Sequence, residues 1–435
     1  MRYFTETAKY LFVICTITLT GCNKDSRTGP EDNGASPNIL LIIADDMGKD
    51  ATAGFAEGNV KPNTPNIDGI RNKGVSFNNF WVYPTCSPTR ASILTGKYGY
   101  RTGVKWANDL LGSSEPILHQ YLKENTEDAY ATALVGKWHL SGNENTMFNP
   151  ETLGMDYYAG LLRGGVESYY QWMLTEDGHQ STQTAYITEK FTGLAIDWIK
   201  AQDRPWFLWL AYTAPHTPFH VPPAEMHTQG NLPEYMQGIS ALPYYLAAIE
   251  AMDFQIGRLL NSLPDAEREN TVIIFIGDNG TPNLAAQFPY SNSTVKGTLY
   301  QGGINTPLFV SGPGITRIGE QDDHLVGSTD LFATIAEVAG ISSPEINDSK
   351  SFKPLFSGED SNRDFQYSEM NDGASDLWAI SDGQYKLIVN ANGGQEMYDL
   401  STDPYEGNDL LAGILSSGQL AAKERLQIEL DRIRD

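Results

Sequence analysis

One stretch, Cys86-Ser87-Pro88-Thr89-Arg90-Ala91-Ser92-Ile93-Leu94-Thr95-Gly96, sets a thiol directly before a helix start. Pro88 suits a first turn, Ala91 to Leu94 can propagate the helix, and Gly96 suits the position just past its end. Cys86 would then sit at the positive end of the helix dipole, with Arg90 one turn along on the same face. That arrangement favours an anionic reactive group or an anionic ligand. A buried structural cysteine beside a surface arginine satisfies the same letters, so other parts of the chain must decide.

Several other residues could share the chemistry. Asp45, Asp46, Asp278 and Asn279 offer only oxygen, which suits a hard divalent cation, Ca²⁺ ahead of Mg²⁺, and does not suit zinc. Arg90, Lys137 and Lys296 would bring positive charge to an oxyanion. His139 and His216 are the acid/base candidates. Taken singly, each has a plainer reading: a turn or cap for the aspartates, solvated lysines, a hydrogen-bonded histidine.

Their positions change the weighting. Pro37 to Ile43 (PNILLII), Ala131 to Val135, Pro205 to Tyr212 (PWFLWLAY) and Val272 to Ile276 are short, nearly continuous apolar runs, as in parallel strands buried on both faces. Asp45-Asp46, Lys137 with His139, His216 and Asp278-Asn279 follow these four runs. In open α/β sheets ligands lie beyond the carboxyl ends of the strands. Helical spacing at Phe191, Leu194, Ala195 and Trp198, and over Tyr245 to Leu260, supplies the covering layer. The expected fold is α/β: a large doubly wound, mostly parallel or mixed sheet flanked by helices over 37–345. Short strands around Asp382-Gly383 and a closing helix marked by Ala422, Leu426, Leu430 and Ile433 predict a small C-terminal antiparallel sheet plus helix over 346–435. Segment 157–183 has weak periodicity and reads as a loop-rich insertion around a cleft.

The 435 residues carry a formal charge of −24. Residues 1–21 hold Arg2, Lys9 and Glu6, a net of +1, so the remainder carries −25. A surface this acidic argues against nucleic acid as a partner and requires a local basic cluster to draw in any anion. Leu11 to Thr20 is an apolar stretch too short to span a bilayer comfortably, following a weakly basic start. It ends in Leu19-Thr20-Gly21-Cys22, which resembles a bacterial lipobox. The expectation is a signal peptide over 1–21, acylation at Cys22, a flexible tether over 22–36, and anchoring of an exported protein in the periplasm or at the cell surface, with the membrane touched through the lipid alone. Of three cysteines, Cys15 and Cys22 fall in this leader, so Cys86 is left with no disulfide partner.

Taken together, PNILLIIADDMG (37–48), CSPTRASILTG (86–96), GKWHL (136–140), APHTPF (214–219), GDNG (277–280) and KGTLYQGGINTPL (296–308) resemble, in order, the motifs of the type I sulfatases of the alkaline phosphatase superfamily. YDLSTDPYE (398–406) is similar to the family's small domain. The resemblance implies that a maturase oxidises Cys86 to formylglycine, whose hydrate attacks a sulfate ester in line and forms a covalent sulfate-enzyme. It implies one Ca²⁺ held by Asp45, Asp46, Asp278, Asn279 and residue 86. By the same resemblance Arg90 stabilises the nucleophile, Lys137 and Lys296 clamp sulfate oxygens, His216 protonates the departing alcohol, and His139 takes the proton from the second hydroxyl to expel sulfate. The implied substrate is a sulfated carbohydrate. A phosphonate or phosphate-ester hydrolase of the same superfamily and a non-catalytic glycan-binding lipoprotein are the competing expectations. Two positions depart from the family pattern: Gln301 stands where relatives usually have an acid, and Asn305 where they often have arginine. Arg101, Lys105 and Arg163 are candidate extra cations for a charged sugar.

Overall fold

The apolar runs become the middle of one sheet. In the computed structural model its strands are β1 (Asn38–Ala44), β2 (Gly74–Trp81), β3 (Ala131–Lys137), β4 (Tyr157–Leu161), β5 (Trp172–Glu176), β6 (His179–Gln183), β7 (Trp206–Ala211), β8 (Thr271–Gly277), β9 (Leu308–Ser311) and β10 (Glu320–Gly327). They lie in the order β10-β2-β9-β8-β1-β7-β3-β4-β5-β6. The structure describes residues 1–2, 36–142, 150–360 and 363–435. The apolar leader, Cys22 and most of the expected tether lie outside the described residues.

β8, β1, β7 and β3 are mutually parallel neighbours and are buried at every position. Alternate residues of β1 enter two different cores. Ile39, Leu41 and Ile43 pack with one helical layer, and Leu40, Ile42 and Ala44 with the other. This period of two, with both faces apolar, is why these strands carry no polar alternation. The Leu242–Ser262 helix, longer at both ends than its apolar spacing predicted, belongs to the second layer.

Three departures from the sequence reading have physical causes. The segment read as loop-rich contains β4, β5 and β6: β4 extends the sheet in parallel from β3, and β5–β6 form an antiparallel hairpin beyond it. β6 (HQSTQ) is largely exposed on both faces, so no hydrophobic alternation marks it. β10 likewise escaped notice because an edge strand of sequence EQDDHLVG carries mostly exposed polar side chains. Finally, the sequence Thr64-Pro65 to Asn72 predicts a short helix closed by Gly74, whereas Gly74 opens β2. A Cβ there would lie 1.9 Å from the Val310 carbonyl oxygen on β9, an approach only glycine permits.

After a two-residue pair, β11 (Glu345–Ile346) with β12 (Ser349–Lys350), four antiparallel strands follow: β13 (Gln366–Asn371), β14 (Asp376–Ser381), β15 (Tyr385–Asn390) and β16 (Gln395–Asp399). Gly383 has φ 90° in the β14–β15 turn, as its Asp-Gly signal required. One face of this sheet takes Ala422, Leu426, Leu430 and Ile433 from the closing helix Ser417–Arg434. Its other face packs Met370, Ala379, Ile388 and Tyr398 against Trp81, Leu299 and Ile304.

That second contact holds a buried ion pair. The Lys386 ammonium donates to Glu406 and to the Leu299 carbonyl and lies 5.0 Å from the Trp81 ring centroid, and Glu406 accepts the Gln301 amide. Losing either partner strands a charge away from water, at a cost of about 3–5 kcal/mol. Urea denaturation should show Lys386→Met and Glu406→Gln each destabilising by that order, and the double variant by clearly less than their sum.

Candidate active site

Five strand ends supply the site. β1 runs into Asp45 and Asp46, β8 into Asp278 and Asn279, and β3 ends at Lys137 with His139 two residues on. β7 leads to His216, and β2 delivers the chain to the Cys86–Thr95 helix. Gly96 closes that helix in the left-handed conformation, with φ 64°. The whole helix is buried, and Cys86 is its first residue, as the spacing of Pro88 and Gly96 predicted.

The buried groups meet as three acids and three bases. Lys137 Nζ donates to both Asp45 oxygens, at 2.8 and 2.6 Å. Arg90 donates through Nε and Nη2 to Asp278 Oδ2, at 3.1 and 2.7 Å, and through Nη1 to the Lys137 carbonyl. Lys296 Nζ donates to Asp46 Oδ2 at 2.6 Å, and Asn279 Nδ2 to Asp46 Oδ1 at 2.8 Å. Cys86 Sγ lies 3.3 Å from Asp45 Oδ1, and His216 Nε2 lies 3.7 Å from Asp46 Oδ2. Every sequence-predicted site residue of the body is therefore within one connected cluster except His139, which approaches through the cavity above it.

Charge within this cluster shifts its members apart. Burial pushes Asp46 up, but Lys296, His216 and Lys137 outweigh it and hold the carboxyl well below the usual range. Burial and the neighbouring Asp45 raise Asp278 to about 6 despite Arg90. Burial, then the Asp45 carboxylate, push the Cys86 thiol well up. The helix dipole does not win here, so the unmodified side chain stays a neutral thiol. Burial lowers His216 to about 4, Asp46 opposing and Lys137 and Lys296 assisting, while burial with Lys137 and Arg90 takes His139 well down.

A cavity of about 710 Å³ opens above the cluster, lined by Cys86, Asn108, His139, Arg163, Gly164, His216 and Lys296 among others. Lys137 and Arg90 do not line it; both are fully buried, with their donors turned to Asp45 and Asp278. Of the three cations, Lys296 is the one that reaches the cavity.

Further residues at this cavity and behind its wall were not legible in the motifs. Asn108 Oδ1 faces His139 Nε2 at 2.9 Å, and Ser87 Oγ joins them, donating to the His139 carbonyl at 2.8 Å and accepting the Asn108 amide at 3.0 Å. A Cβ on Gly164 would lie 2.1 Å from His139 Nε2, so only glycine lets that loop cross the ring. Tyr169 is buried and its hydroxyl lies 2.6 Å from the His216 carbonyl oxygen and 2.8 Å from that of Thr213, fixing the loop that carries His216. One signal was available for Asn108: asparagine tolerates the left-handed backbone, and Asn108 has φ 67°.

Comparison with known proteins is decisive at this point. The family model described as Sulfatase matches residues 37–341, most of the chain, and a model for the N-sulphoglucosamine sulphohydrolase C-terminal region matches 295–434. The chain belongs to the sulfatase family. Its fold is that of the alkaline phosphatase superfamily, and its class is that of sulfuric ester hydrolases. An arylsulfatase of Klebsiella aerogenes is 28% identical over 424 residues, covering 73% of this chain and 89% of that protein. The human N-acetylgalactosamine-6-sulfatase is 30% identical over 346 residues, covering 71% of this chain; the chain spans 63% of the length of that relative. Among solved structures, Ps i-CgsB in complex with k-i-k-neocarrahexaose superposes with a TM-score of 0.77 at 25% identity, covering 91% of this chain and 92% of that one.

Within the sulfatase framework, the two departures acquire a place. Asn305 Nδ2 donates to Gln301 Oε1 at 2.8 Å, a neutral pair facing a separate cavity of about 460 Å³ that also takes Lys49 and Tyr290. Neither residue lines the catalytic cavity, so neither sets its rim. Arg101 pairs with Asp348 at 3.0 Å and lines another surface cavity, whereas Arg163 lines the catalytic one.

Part of this cluster can hold a metal ion. Ligand atoms of Asp45, Asp46, Cys86 and His216 all lie within 4.8 Å of one another. Asn279 Oδ1 is buried without a hydrogen-bond partner, an acceptor left for an ion. Asp278 lies outside that group, its Oδ1 accepting the Asp46 amide and its Oδ2 the Arg90 guanidinium.

Proposed function

We propose that this sulfatase removes sulfate from a sulfated carbohydrate, with residue 86 acting as formylglycine matured from Cys86 and with Ca²⁺ held by Asp45, Asp46, Asp278, Asn279 and residue 86. One observation carries the reading: the first residue of a buried helix lies where three carboxylates and three cations converge, at the wall of a cavity into which both His139 and His216 open. The names of relatives support the substrate class, a galactosamine sulfatase at 30% identity and a structure holding a carrageenan oligosaccharide. When bound, the cation and the aldehyde hydrate would supply charge compensation and a hydroxyl nucleophile respectively.

The chain's own residues then divide the work. Lys296, at the cavity wall, meets the sulfate oxygens. Lys137 and Arg90 act from below by holding Asp45 and Asp278 in place, and Lys137 becomes a second sulfate contact only if it releases Asp45. His216 gives its proton to the departing alcohol. Burial does most to keep the ring neutral in the free enzyme, with Lys137 and Lys296 adding to it, and an incoming sulfate offsets that lysine contribution in favour of the protonated form. His139 removes a proton from the second hydroxyl of residue 86 in the later step. Its Nε2–H donates to Asn108, which leaves Nδ1 as the free lone pair, and Nδ1 is buried without a partner. We further propose that the protein is an exported lipoprotein anchored through Cys22, on the strength of residues 1–36, with 37–345 as catalytic domain and 346–435 as C-terminal subdomain.

The reading is tested by kinetics on an aryl sulfate beside the matching aryl phosphonate. The sulfate should be the better substrate, and Cys86→Ala should lose roughly a thousandfold or more of that rate with thermal unfolding unchanged. A large excess of the phosphonate rate would transfer the enzyme to the phosphoryl branch of the superfamily. A second experiment isolates His139: Asn108→Ala should lower kcat about 10- to 100-fold while the first equivalent of alcohol still appears in a rapid burst. Equal slowing of burst and turnover would reduce Asn108 to a packing residue.

A further inference from the structure

A second cavity, of about 740 Å³, adjoins the catalytic one. The two share Gly142, Arg163, Gly165, Val166 and Glu167 as walls, so whatever fills the first can continue into the second. Its volume lies within the range of ligand sites. Its far wall is the β5–β6 hairpin that the sequence did not reveal.

The register of that hairpin says which side chains face inward. Met173 pairs directly with Thr182, and Thr175 with Gln180. These two pairs sit two residues apart along each strand and so share one face of the ribbon. All four line the cavity, while Ser181, on the intervening pair, and Gln183 do not. Gln180 and Thr182 are exposed, and Met173 keeps 46% of its surface accessible. Past the shared Arg163 and Glu167, the lining among the described residues is amide, hydroxyl and apolar: among them it carries no further charge and none of the acid, base or nucleophile types of the catalytic cluster. Such a wall offers hydrogen bonds in both directions plus an apolar patch for the C–H face of a ring. Away from Arg163, at the junction with the first cavity, it suits an uncharged polyol and, among the described residues, offers no cation to a second sulfate.

We propose that this cavity is a subsite for an uncharged glycosyl unit. The substrate is then an oligosaccharide whose sulfated sugar sits over residue 86 and whose neutral neighbour lies against Met173, Thr175, Gln180 and Thr182. The inference rests on the reading of the first cavity as a carbohydrate sulfatase site.

The test uses 4-methylumbelliferyl sulfate together with a sulfated monosaccharide and two matched series of tetrasaccharides, one with a neutral sugar and one with a uronic acid next to the sulfated unit. The wild-type enzyme should prefer a tetrasaccharide with the neutral neighbour over the monosaccharide by about tenfold or more in kcat/KM, and a preference confined to the uronic-acid series would overturn the proposal. Replacing the inward pair, Gln180→Ala with Thr182→Ala, should erase most of that preference, since two lost hydrogen bonds are worth about a factor of ten. The aryl sulfate rate should not move. The outward pair, Ser181→Ala with Gln183→Ala, should behave as wild type, which separates binding from damage to the hairpin. Equal rates on mono- and tetrasaccharides, or a preference that survives the inward variant, would overturn the subsite while leaving the sulfatase intact. Failure of the wild type on the aryl sulfate and on every sugar would remove the sulfatase reading and the subsite with it.

Discussion

Asp45, Asp46 and Asp278 are almost wholly shut off from water, and so are Arg90 and Lys137. Each such charge costs several kcal/mol to bury unless partners are held at hydrogen-bond distance. The rest of the molecule can be understood as the means of holding them. Adjacent parallel strands end at one edge, bringing residues more than two hundred positions apart within 3 Å, as for Asp46 after β1 and Asn279 after β8. The same demand explains local strain. Asp46 and His139 have φ of 71° and 60°, values that non-glycine residues adopt at a cost of order 1 kcal/mol or more each. The surrounding packing over-determines them.

The cations are not equivalent, and the difference follows from depth. Arg90 and Lys137 are spent on Asp278 and Asp45, where they offset repulsion among carboxylates. Lys296 stands on the loop after β8, partly accessible, where a ligand can reach it. That loop is in turn tied down by the C-terminal sheet through Lys386, Glu406 and the Leu299 carbonyl. The small sheet thus contributes to the site without placing a side chain in it.

Much of this was readable from residue order because chemistry and burial coincide. Apolar runs such as PNILLII mark strands covered on both faces, and polar residues directly after them must lie at the sheet's edge, so Asp45, Lys137 and Asp278 could be grouped before any coordinates. The Cys86 helix was equally plain from Pro88 and Gly96. Where folding is not driven by apolar periodicity, the letters were silent. β6 and β10 are polar, and the β5–β6 hairpin is fixed by pairing with β4 and not by its own pattern. Asn108, Gly164 and Tyr169 act through contacts set by loop geometry, to which spacing along the chain gives no access. The thiol shows a related limit: a helix N-terminus suggested activation, whereas burial beside Asp45 decides the opposite.

The central claim is that residue 86 is not a thiol in the working enzyme but its oxidised product, placed where the buried charges converge. Mass spectrometry of the peptide from Gly74 to Arg90, taken from protein that is active and was exported by a host with a maturase, tests this most directly. The account predicts that a substantial fraction carries an oxygen-for-sulfur aldehyde at residue 86, and that this fraction tracks specific activity. Fully active protein carrying only the free thiol would contradict it.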